Sequence, residues 1–175
     1  FISIDSLVIH CSGATSIDIF KYHPRSGVLF PVQTISKFND DLFKNTPFCI
    51  EAKNKNDLDL LKKLTLSLGG SYECLNSIQR ANIHLSAVWV NNFVNHMIYK
   101  GRKICDDNNI PFSILEPIIK NTIKQTLIND PKKIQTGPAR RHDKKTLKKH
   151  GALMNDLNDK ELYDTITKSI QNIYE

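Results

Sequence analysis

The segment PFCIEAKNKNDLDLLKKLTLSLGGSYECL, residues 47–75, decides the class of fold. Its two ends, residues 47–51 and 71–75, are short β-rich runs, and the second follows the turn Gly69-Gly70. Between them, residues 56–68 place leucines at the 3.6-residue period of a helix face that packs on a sheet. This pattern predicts a helix that crosses over between two parallel strands, and therefore an α/β layer.

Two further strands are predicted upstream of this segment. The apolar run LVIH occupies residues 7–10 and stops at Ser12-Gly13, and GVLFPV occupies residues 27–32. Together with the two runs above they make four short strands that alternate with helical stretches. This alternation is typical of an α/β sheet and not of a helix bundle.

Strand signals end near Asn76, and we place a domain boundary there, between residues 1–76 and 77–175. The second part is predicted to be all-α. Its first helix, residues 78–107, is apolar around most of its circumference, so it needs cover from other helices or from a second subunit. Shorter helices are predicted at residues 113–129 with a Ser113–Glu116 capping box, at residues 143–155 and at residues 159–174, with a loop between Asp130-Pro131 and Thr136-Gly137-Pro138.

The charge of the chain is concentrated in one place. Its 24 Lys and Arg exceed its 18 Asp and Glu by 6, and the run RRHDKKTLKKH at residues 140–150 holds six basic residues against Asp143. The rest of the chain is nearly neutral. Nucleic acid, membrane surfaces and acidic small molecules are therefore candidate partners mainly through this run, and a solvated helix face is the commoner explanation of such a run.

Cysteine usage and hydropathy narrow the class of protein further. The four cysteines, Cys11, Cys49, Cys74 and Cys105, are widely spaced, with no Cys-x-x-Cys pair and no His at zinc-ligand spacing. Neither a disulfide framework nor a metal site is predicted, and a reducing cytoplasm fits this pattern best. The longest uncharged run, residues 81–99, contains four Asn and two His and is too polar to span a bilayer.

One stripe of the long helix is polar but carries no Lys or Glu. Counted at 100° per residue, His84, Asn91 and Asn95 fall within about 20° of one line along the helix. Asn92 lies about 80° from that line. Such a stripe indicates a sheltered surface, since a solvated face normally carries charged side chains. These side chains either satisfy backbone groups at the domain junction or form an active-site wall, where His84 moves a proton and Asn92 orients a substrate carbonyl.

Two strand ends carry polar groups that suit a ligand. HCSG at residues 10–13 ends a strand in small residues, at the position where open α/β sheets bind ligands. Gly13 allows backbone to approach a ligand, and the Ser12 hydroxyl offers a hydrogen bond. A plain strand-to-helix turn is the commoner explanation of Ser-Gly. FPVQT at residues 30–34 similarly places the Gln33 amide at a strand end.

The segment TGPARRHD, residues 136–143, predicts a turn that leads into a helix beside two guanidinium groups. Such a turn suits an anionic group of a substrate. In the alternative interpretation Asp143 only caps the helix. The chain contains no G-x-G-x-x-G phosphate fingerprint.

Four segments together resemble a known family. In order, they are HCSGATSIDIF, GVLFPVQTISK, RANIHLSAVWVNNFVNH and QTGPARRHDKKTLKKH. They are similar to the predicted NAD(P)-dependent oxidoreductases, of the type found in Bacteroidetes, whose Rossmann-like domain precedes the helical "domain of unknown function 2520" (DUF2520). The resemblance implies a two-domain relative of ketopantoate reductase and 6-phosphogluconate dehydrogenase. We therefore expect the C-terminal part of a Rossmann-like parallel sheet, then a helical domain that often dimerises, with the active site in the cleft between the two domains.

The resemblance also implies roles for particular residues. Positions that match its nicotinamide cofactor site, for NADP or NAD, are Ser12, Gly13 and Gln33. The catalytic positions are His84 and Asn92. Expected substrate-binding positions are Asn91 and Asn95 on the polar stripe and Gly137, Pro138 and Arg141 in the Thr-Gly-Pro loop.

Two positions depart from the family pattern. Phe30 stands where many members have His or Tyr, which weakens the case for a polar role there. His142 stands where most members have Gly, so a residue free to take positive φ is replaced. Members also begin with a βαβ unit that carries the glycine-rich turn, and this unit would lie before Phe1. We therefore expect the chain to be a fragment of a longer product that does not by itself bind NAD(P) at the usual site.

The sequence thus favours the C-terminal portion of a cytoplasmic NAD(P)-dependent oxidoreductase. It would transfer a hydride between the nicotinamide and a small, anionic carbonyl or hydroxy compound, as a homodimer formed through the helical domain. The rival hypothesis is a non-enzymatic binding or dimerisation module that uses residues 140–149 on nucleic acid. The rival predicts binding that weakens steeply with salt, but a short basic run without interleaved aromatic residues is weak support for it.

Overall fold

The structure is a computed structural model that describes residues 2–35 and 43–174. The chain divides into two compact units, residues 1–104 and residues 105–175. By packing, most of the long helix after Asn76 therefore groups with the sheet. The domain boundary predicted at residue 76 is based on where strand signals end in the sequence, and it stays a prediction.

The first unit is built on a four-stranded sheet. The strands are β1 (Val8–His10), β2 (Ser26–Pro31), β3 (Pro47–Ala52) and β4 (Ser71–Cys74), and they lie side by side in the order β1-β2-β3-β4. All four predicted strands are confirmed. Helix α1 (Lys55–Ser67) connects β3 to β4, which run parallel, as the crossover pattern predicts.

The sheet is mixed, whereas the family resemblance implied a parallel one. β1 and β2 run parallel, but β2 and β3 run antiparallel, so that Phe30 lies opposite Cys49 and Pro31 opposite Phe48. An antiparallel pair needs no crossover helix, because the second strand starts at the edge where the first one ends. The carboxyl ends of β1 and β2 therefore share one edge of the sheet, and those of β3 and β4 share the other.

The core of the first unit lies between the sheet and α1. Leu29, Phe48, Ile50 and Leu61 form one buried cluster, and each is at most 6% exposed. Three of them come from the two central strands, and Leu61 comes from the face of α1 that the leucine period predicts. Burial of each such side chain contributes about 1.5 to 3 kcal/mol, and this packing fixes the sheet on which the candidate site is built.

The long helix predicted after Asn76 is present, but it is not α-helical throughout. Helix α2 (Ser77–Ala87) continues into a π-helical segment, Val88–Phe93, and then into α3 (Val94–Asp107). Its start is a capping box in which the side chains of Asn76 and Gln79 each accept the other's backbone N–H. The apolar face of this long helix is exposed to solvent, with Val90 72% exposed. This exposure is consistent with the prediction that other helices or a second subunit cover this face.

The second unit is helical, as predicted. It contains α4 (Glu116–Ile128), α5 (Pro131–Ile134), α6 (Lys144–Leu153) and α7 (Leu157–Ile173). The short helix α5 lies inside the predicted loop, where Asp130 caps it. The predicted Ser113–Glu116 capping box is wrong, because residues 112–115 form a 3-10 turn and α4 begins at Glu116. The Glu116 carboxylate instead pairs with Lys120 at 3.1 Å.

The buried carboxylate of Asp57 makes folding stability depend on pH. Its side chain is 1% exposed and accepts a hydrogen bond from Arg25 Nη2 at 2.6 Å. That bond holds the pKa of Asp57 below its usual range. Because the pKa is lower in the folded state, the stabilisation is present above the unfolded pKa, about 4, and is lost as pH falls through the folded one.

We therefore expect Asp57→Asn to destabilise the protein by about 1 to 2 kcal/mol at pH 7, with a smaller difference at pH 3. Urea unfolding of both proteins at pH 7, 5 and 3 measures it. A difference that stays constant over this range would contradict the role given to the ionised carboxylate.

Candidate active site

The ends of β1 and β2 bring two of the predicted site segments to one edge of the sheet. β1 and β2 are parallel, with His10 opposite Val28. The chain leaves β1 through Ser12 and Gly13, and it leaves β2 through Gln33 and Thr34. Polar groups that follow neighbouring parallel strands therefore meet at this edge, which is where open α/β sheets bind ligands.

His84 of α2 lies directly against Gly13. A Cβ atom built on Gly13 would lie 2.8 Å from both Cγ and Cδ2 of the His84 ring, and 2.8 Å from Cζ of Phe30. The Phe30 ring meets the His84 ring edge to face, with centroids 5.9 Å apart. Only glycine allows this approach, so the predicted cofactor position and the predicted catalytic histidine form one packed contact that also fixes the orientation of the imidazole.

Asn91 joins the same helix to the end of β2. Its Nδ2 donates to Thr34 Oγ1 at 2.7 Å. The Gln33 side chain folds back on the chain, where its Oε1 accepts the Thr34 backbone N–H at 3.0 Å. The helix thus follows β2 from Phe30 to Thr34 and places His84 and Asn91 along one edge of the sheet.

Asn92 and Asn95 lie further along the helix and are exposed. Their angles relative to His84 differ from the predicted ones, because the π-helical segment holds more residues per turn than an α-helix. Two residues of the predicted polar stripe contact the segments that follow β1 and β2: His84 contacts Gly13, and Asn91 contacts Thr34. π-helical turns are rare and often occur at functional sites.

The turn after β1 is held by hydrogen bonds of its own. The Ser12 hydroxyl oxygen accepts the Thr15 hydroxyl at 2.8 Å and the Thr15 backbone N–H at 3.2 Å. The Ser12 backbone N–H donates to Nδ1 of His10 at 3.2 Å. Burial, followed by the nearby charge of Arg80, lowers the pKa of His10, which keeps this imidazole neutral and able to accept. The Ser12 O–H remains available as a donor to a ligand.

The predicted anion loop lies in the second unit. Gly137 has φ of 99°, and Asp143 caps α6 by accepting the Thr146 backbone N–H at 3.0 Å. The hydrogen bond from the Thr146 hydroxyl is the main cause of a lowered pKa of Asp143. Pro138 is half-buried and Arg141 is exposed. Asp143 therefore has the capping role of the alternative interpretation.

His142, the departure from the family's glycine, adopts φ of 51°. This left-handed conformation costs a non-glycine residue about 1 kcal/mol. We expect His142→Gly to stabilise the protein by about 0.5 to 1 kcal/mol, because the backbone conformation stays and the steric cost disappears. Urea unfolding measures it. The control Lys145→Gly, inside α6, is expected to destabilise by about 1 kcal/mol. A loss of stability in both variants would show that His142 is not strained.

Sequence reasoning missed a buried ionic cluster beneath the site. Arg80 is 0% exposed and pairs with Glu51 of β3. The sequence signal that could have found Arg80 was its position, one helical turn before His84 in the segment RANIH.

Among residues 2–35 and 43–174, no group of three or more His, Cys, Asp or Glu side chains could hold a metal ion. Every helix in these ranges is too short or too polar to cross a membrane.

Two solved structures share this fold along 97% of the chain. The crystal structure of BF3122, a candidate NADP oxidoreductase from Bacteroides fragilis, superposes with a TM-score of 0.90 at 33% sequence identity. That of protein TM1727 from Thermotoga maritima superposes with a TM-score of 0.73 at 23% identity. The chain spans 66% of the first protein's length and 69% of the second's. No curated protein matches the chain in sequence.

These superpositions confirm the predicted fold class, a Rossmann-like α/β part followed by a helical part. The family model of the domain of unknown function DUF2520 matches residues 46–170. This match covers well over half of the chain and includes His84, the three asparagines of the stripe and the Thr-Gly-Pro loop. The chain therefore belongs to the DUF2520 family, as its four motifs indicate.

Proposed function

We propose that the full-length protein containing this chain is an NAD(P)-dependent oxidoreductase, which transfers a hydride between a nicotinamide cofactor and a small, anionic carbonyl or hydroxy compound. The observation that carries the proposal is the contact of His84 with Gly13 at the carboxyl ends of β1 and β2. It puts a proton-transfer group beside the position where α/β sheets bind dinucleotides. The name of the Bacteroides fragilis protein supports the same reaction class.

The residues at the strand ends suit a dinucleotide. Gly13 has no Cβ, and the place where one would lie is filled by the rings of His84 and Phe30, so the turn after β1 packs directly against the imidazole. The Ser12 hydroxyl is a donor held at a fixed place by Thr15. Gln33 is exposed and follows the neighbouring strand β2. When bound there, NADP or NAD supplies the hydride donor or acceptor.

His84 has the role of moving the proton. Reduction of a carbonyl adds a proton to the oxygen when a hydride adds to the carbon, and oxidation of the alcohol removes it. The contact of His84 with Gly13 uses ring carbon atoms, so it leaves both ring nitrogens for this transfer. The edge of Phe30 holds the ring in one orientation.

The remaining predicted residues are assigned to the substrate. Asn92 positions the reacting oxygen, and Asn91 and Asn95 line the same side of the helix. Asn91 donates to Thr34, which leaves its amide oxygen free to accept from a hydroxyl group. Gly137, Pro138 and Arg141 bind an anionic group, for which an exposed guanidinium beside a turn is suited.

We also propose a homodimer that forms through the helical part. The helices expose apolar side chains that a monomer would leave in water, among them Leu127 at 80% and Ile128 at 68% of α4. Burial of such a surface against a second copy is the usual outcome. Light scattering of the purified protein tests it, and a monomer at all concentrations would contradict it.

Cofactor binding tests the proposed reaction class most directly. We expect the full-length protein to bind NADPH or NADH with a Kd below about 100 µM, a common range for substrates of enzymes, as measured by enhancement of nicotinamide fluorescence. Gly13→Val should abolish this binding, since its side chain collides with the rings of His84 and Phe30 and displaces the turn after β1. Gly101→Val on the open side of α3 is the matched control. If neither nucleotide binds at about 1 mM, the proposed function is wrong.

A further inference from the structure

Arg80 is the most deeply buried charged side chain among the described residues. It is 0% exposed, although arginine is rarely buried fully unless it is paired. Its Nη1 forms an ion pair with Glu51 of β3. Its Nη2 donates to the Thr15 backbone carbonyl at 2.6 Å and to the Ser77 hydroxyl oxygen at 3.2 Å. One guanidinium therefore connects β3, the first turn of α2 and the turn after β1.

Ser77 adds a second connection to the same turn. Its hydroxyl donates to Glu51 Oε2 at 2.8 Å and accepts the Ile17 backbone N–H at 3.1 Å. Glu51, Ser77 and Arg80, here called the Arg80 cluster, thus hold the turn by the Thr15 carbonyl and by the Ile17 amide. These contacts bridge 60 and 65 residues of sequence.

Thr15 connects the Arg80 cluster to the candidate site by hydrogen bonds. Its carbonyl is bound by Arg80, while its backbone N–H and hydroxyl both donate to the Ser12 hydroxyl oxygen. Arg80 also lies one helical turn before His84 on α2. The same rigid helix therefore sets the place of the histidine and, through Thr15, the place of Ser12.

We infer that the Arg80 cluster positions the Ser12 hydroxyl through Thr15, and so sets the geometry of the dinucleotide site. The inference rests on the proposed function, because it assigns positioning residues to that site. Stability is a poor explanation of the cluster, since a buried ion pair often stabilises no better than apolar side chains of similar size. A forked guanidinium that binds a carbonyl and a carboxylate together does fix their relative geometry.

The test uses the full-length protein with Arg80→Lys, Ser12→Ala and the double variant. Lysine keeps the charge but cannot bind Glu51 and Thr15 in fork geometry. We expect a native circular dichroism spectrum and a Kd for NADPH raised by about tenfold. The double variant should bind no more weakly than Ser12→Ala, because Arg80 acts through Ser12. Arg102→Lys on α3 is an exposed control with unchanged Kd.

Additive effects of the two substitutions, or an unchanged Kd in folded Arg80→Lys, would overturn the inference. Ser77→Ala, a milder change, covers the case in which Arg80→Lys does not fold. It removes the hydrogen bonds of the Ser77 hydroxyl with Ile17, Glu51 and Arg80, but it leaves the Arg80–Glu51 pair and the bond from Arg80 to Thr15 in place. We expect hydrogen exchange at the Ile17 amide to speed up by about tenfold or more with no change in β3. Equal exchange in this variant and the wild type would overturn the inference as well.

This exchange experiment needs no ligand. If the wild-type protein binds neither NADPH nor NADH, the proposed function fails, while exchange at Ile17 still decides whether the cluster holds the turn. Failure of the function and failure of the inference are therefore distinguishable.

Discussion

Replacement of His84 by alanine is expected to lower kcat of the full-length protein by about 10²- to 10⁴-fold, the usual contribution of a positioned general acid or base. The imidazole lies against Gly13 and the edge of Phe30, so nothing else in this contact can move a proton. Binding of NADPH should change little, because Ser12 and Gln33, the residues assigned to the nucleotide, are held by their own hydrogen bonds with Thr15 and Thr34. The measurement is a pair of assays, steady-state turnover and nucleotide titration, on the same preparation.

His96→Ala is the matched control. His96 is an exposed histidine on α3, and the centroid of its ring lies 6.0 Å from that of Tyr99. We expect full activity in this variant. Retention of more than roughly a tenth of wild-type kcat by His84→Ala would remove His84 from the mechanism, since general acid–base catalysis contributes more than this.

The strands and α1 could be predicted to within a few residues because their signals are local. Residues 47–75 carry apolar runs, a leucine period and a Gly-Gly turn in immediate succession. The direction of β2 relative to β3 could not be predicted in the same way, since a short apolar run reads the same in either orientation. The antiparallel pairing is set by contacts between residues that are distant in sequence, such as Gly27 with Ala52.

The candidate site was predictable by residue type but not by contact. Gly13 and His84 were both singled out, yet they lie 71 positions apart, and only the packing of α2 along β2 brings them together. Arg80 was missed because arginine in a sequence is read as surface. The π-helical segment was missed because its angular shift leaves no signature in the composition, so the predicted angles of Asn92 and Asn95 relative to His84 change.

A second large effect is expected at Gly70, which precedes β4, two strands away from β2 in the sheet. A Cβ atom on Gly70 would lie 2.6 Å from the Thr46 backbone carbonyl oxygen and 2.7 Å from Cε2 of Phe48. That carbonyl accepts the Ser71 N–H at 3.0 Å, which starts the pairing of β3 with β4, and Phe48 is a core residue only 2% exposed. Neither group can move without opening the sheet or the core.

We therefore expect Gly70→Ala to destabilise the protein by about 3 kcal/mol, the upper part of the usual cost of overpacking, with turnover per folded molecule unchanged. Gly101→Ala is the control. Gly101 lies within α3, where an added Cβ meets nothing within 4 Å among the described residues, and alanine there should stabilise by about 0.5 to 1 kcal/mol. The same Gly→Ala change is thus expected to lower the free energy of unfolding at Gly70 and to raise it at Gly101, as measured by urea unfolding. The reason is that the sheet is closely packed at Gly70, whereas the helix has open space at Gly101. Equal effects at both positions would mean that Gly70 is not in close contact with Thr46, and that the β3–β4 edge is looser than its pairing implies.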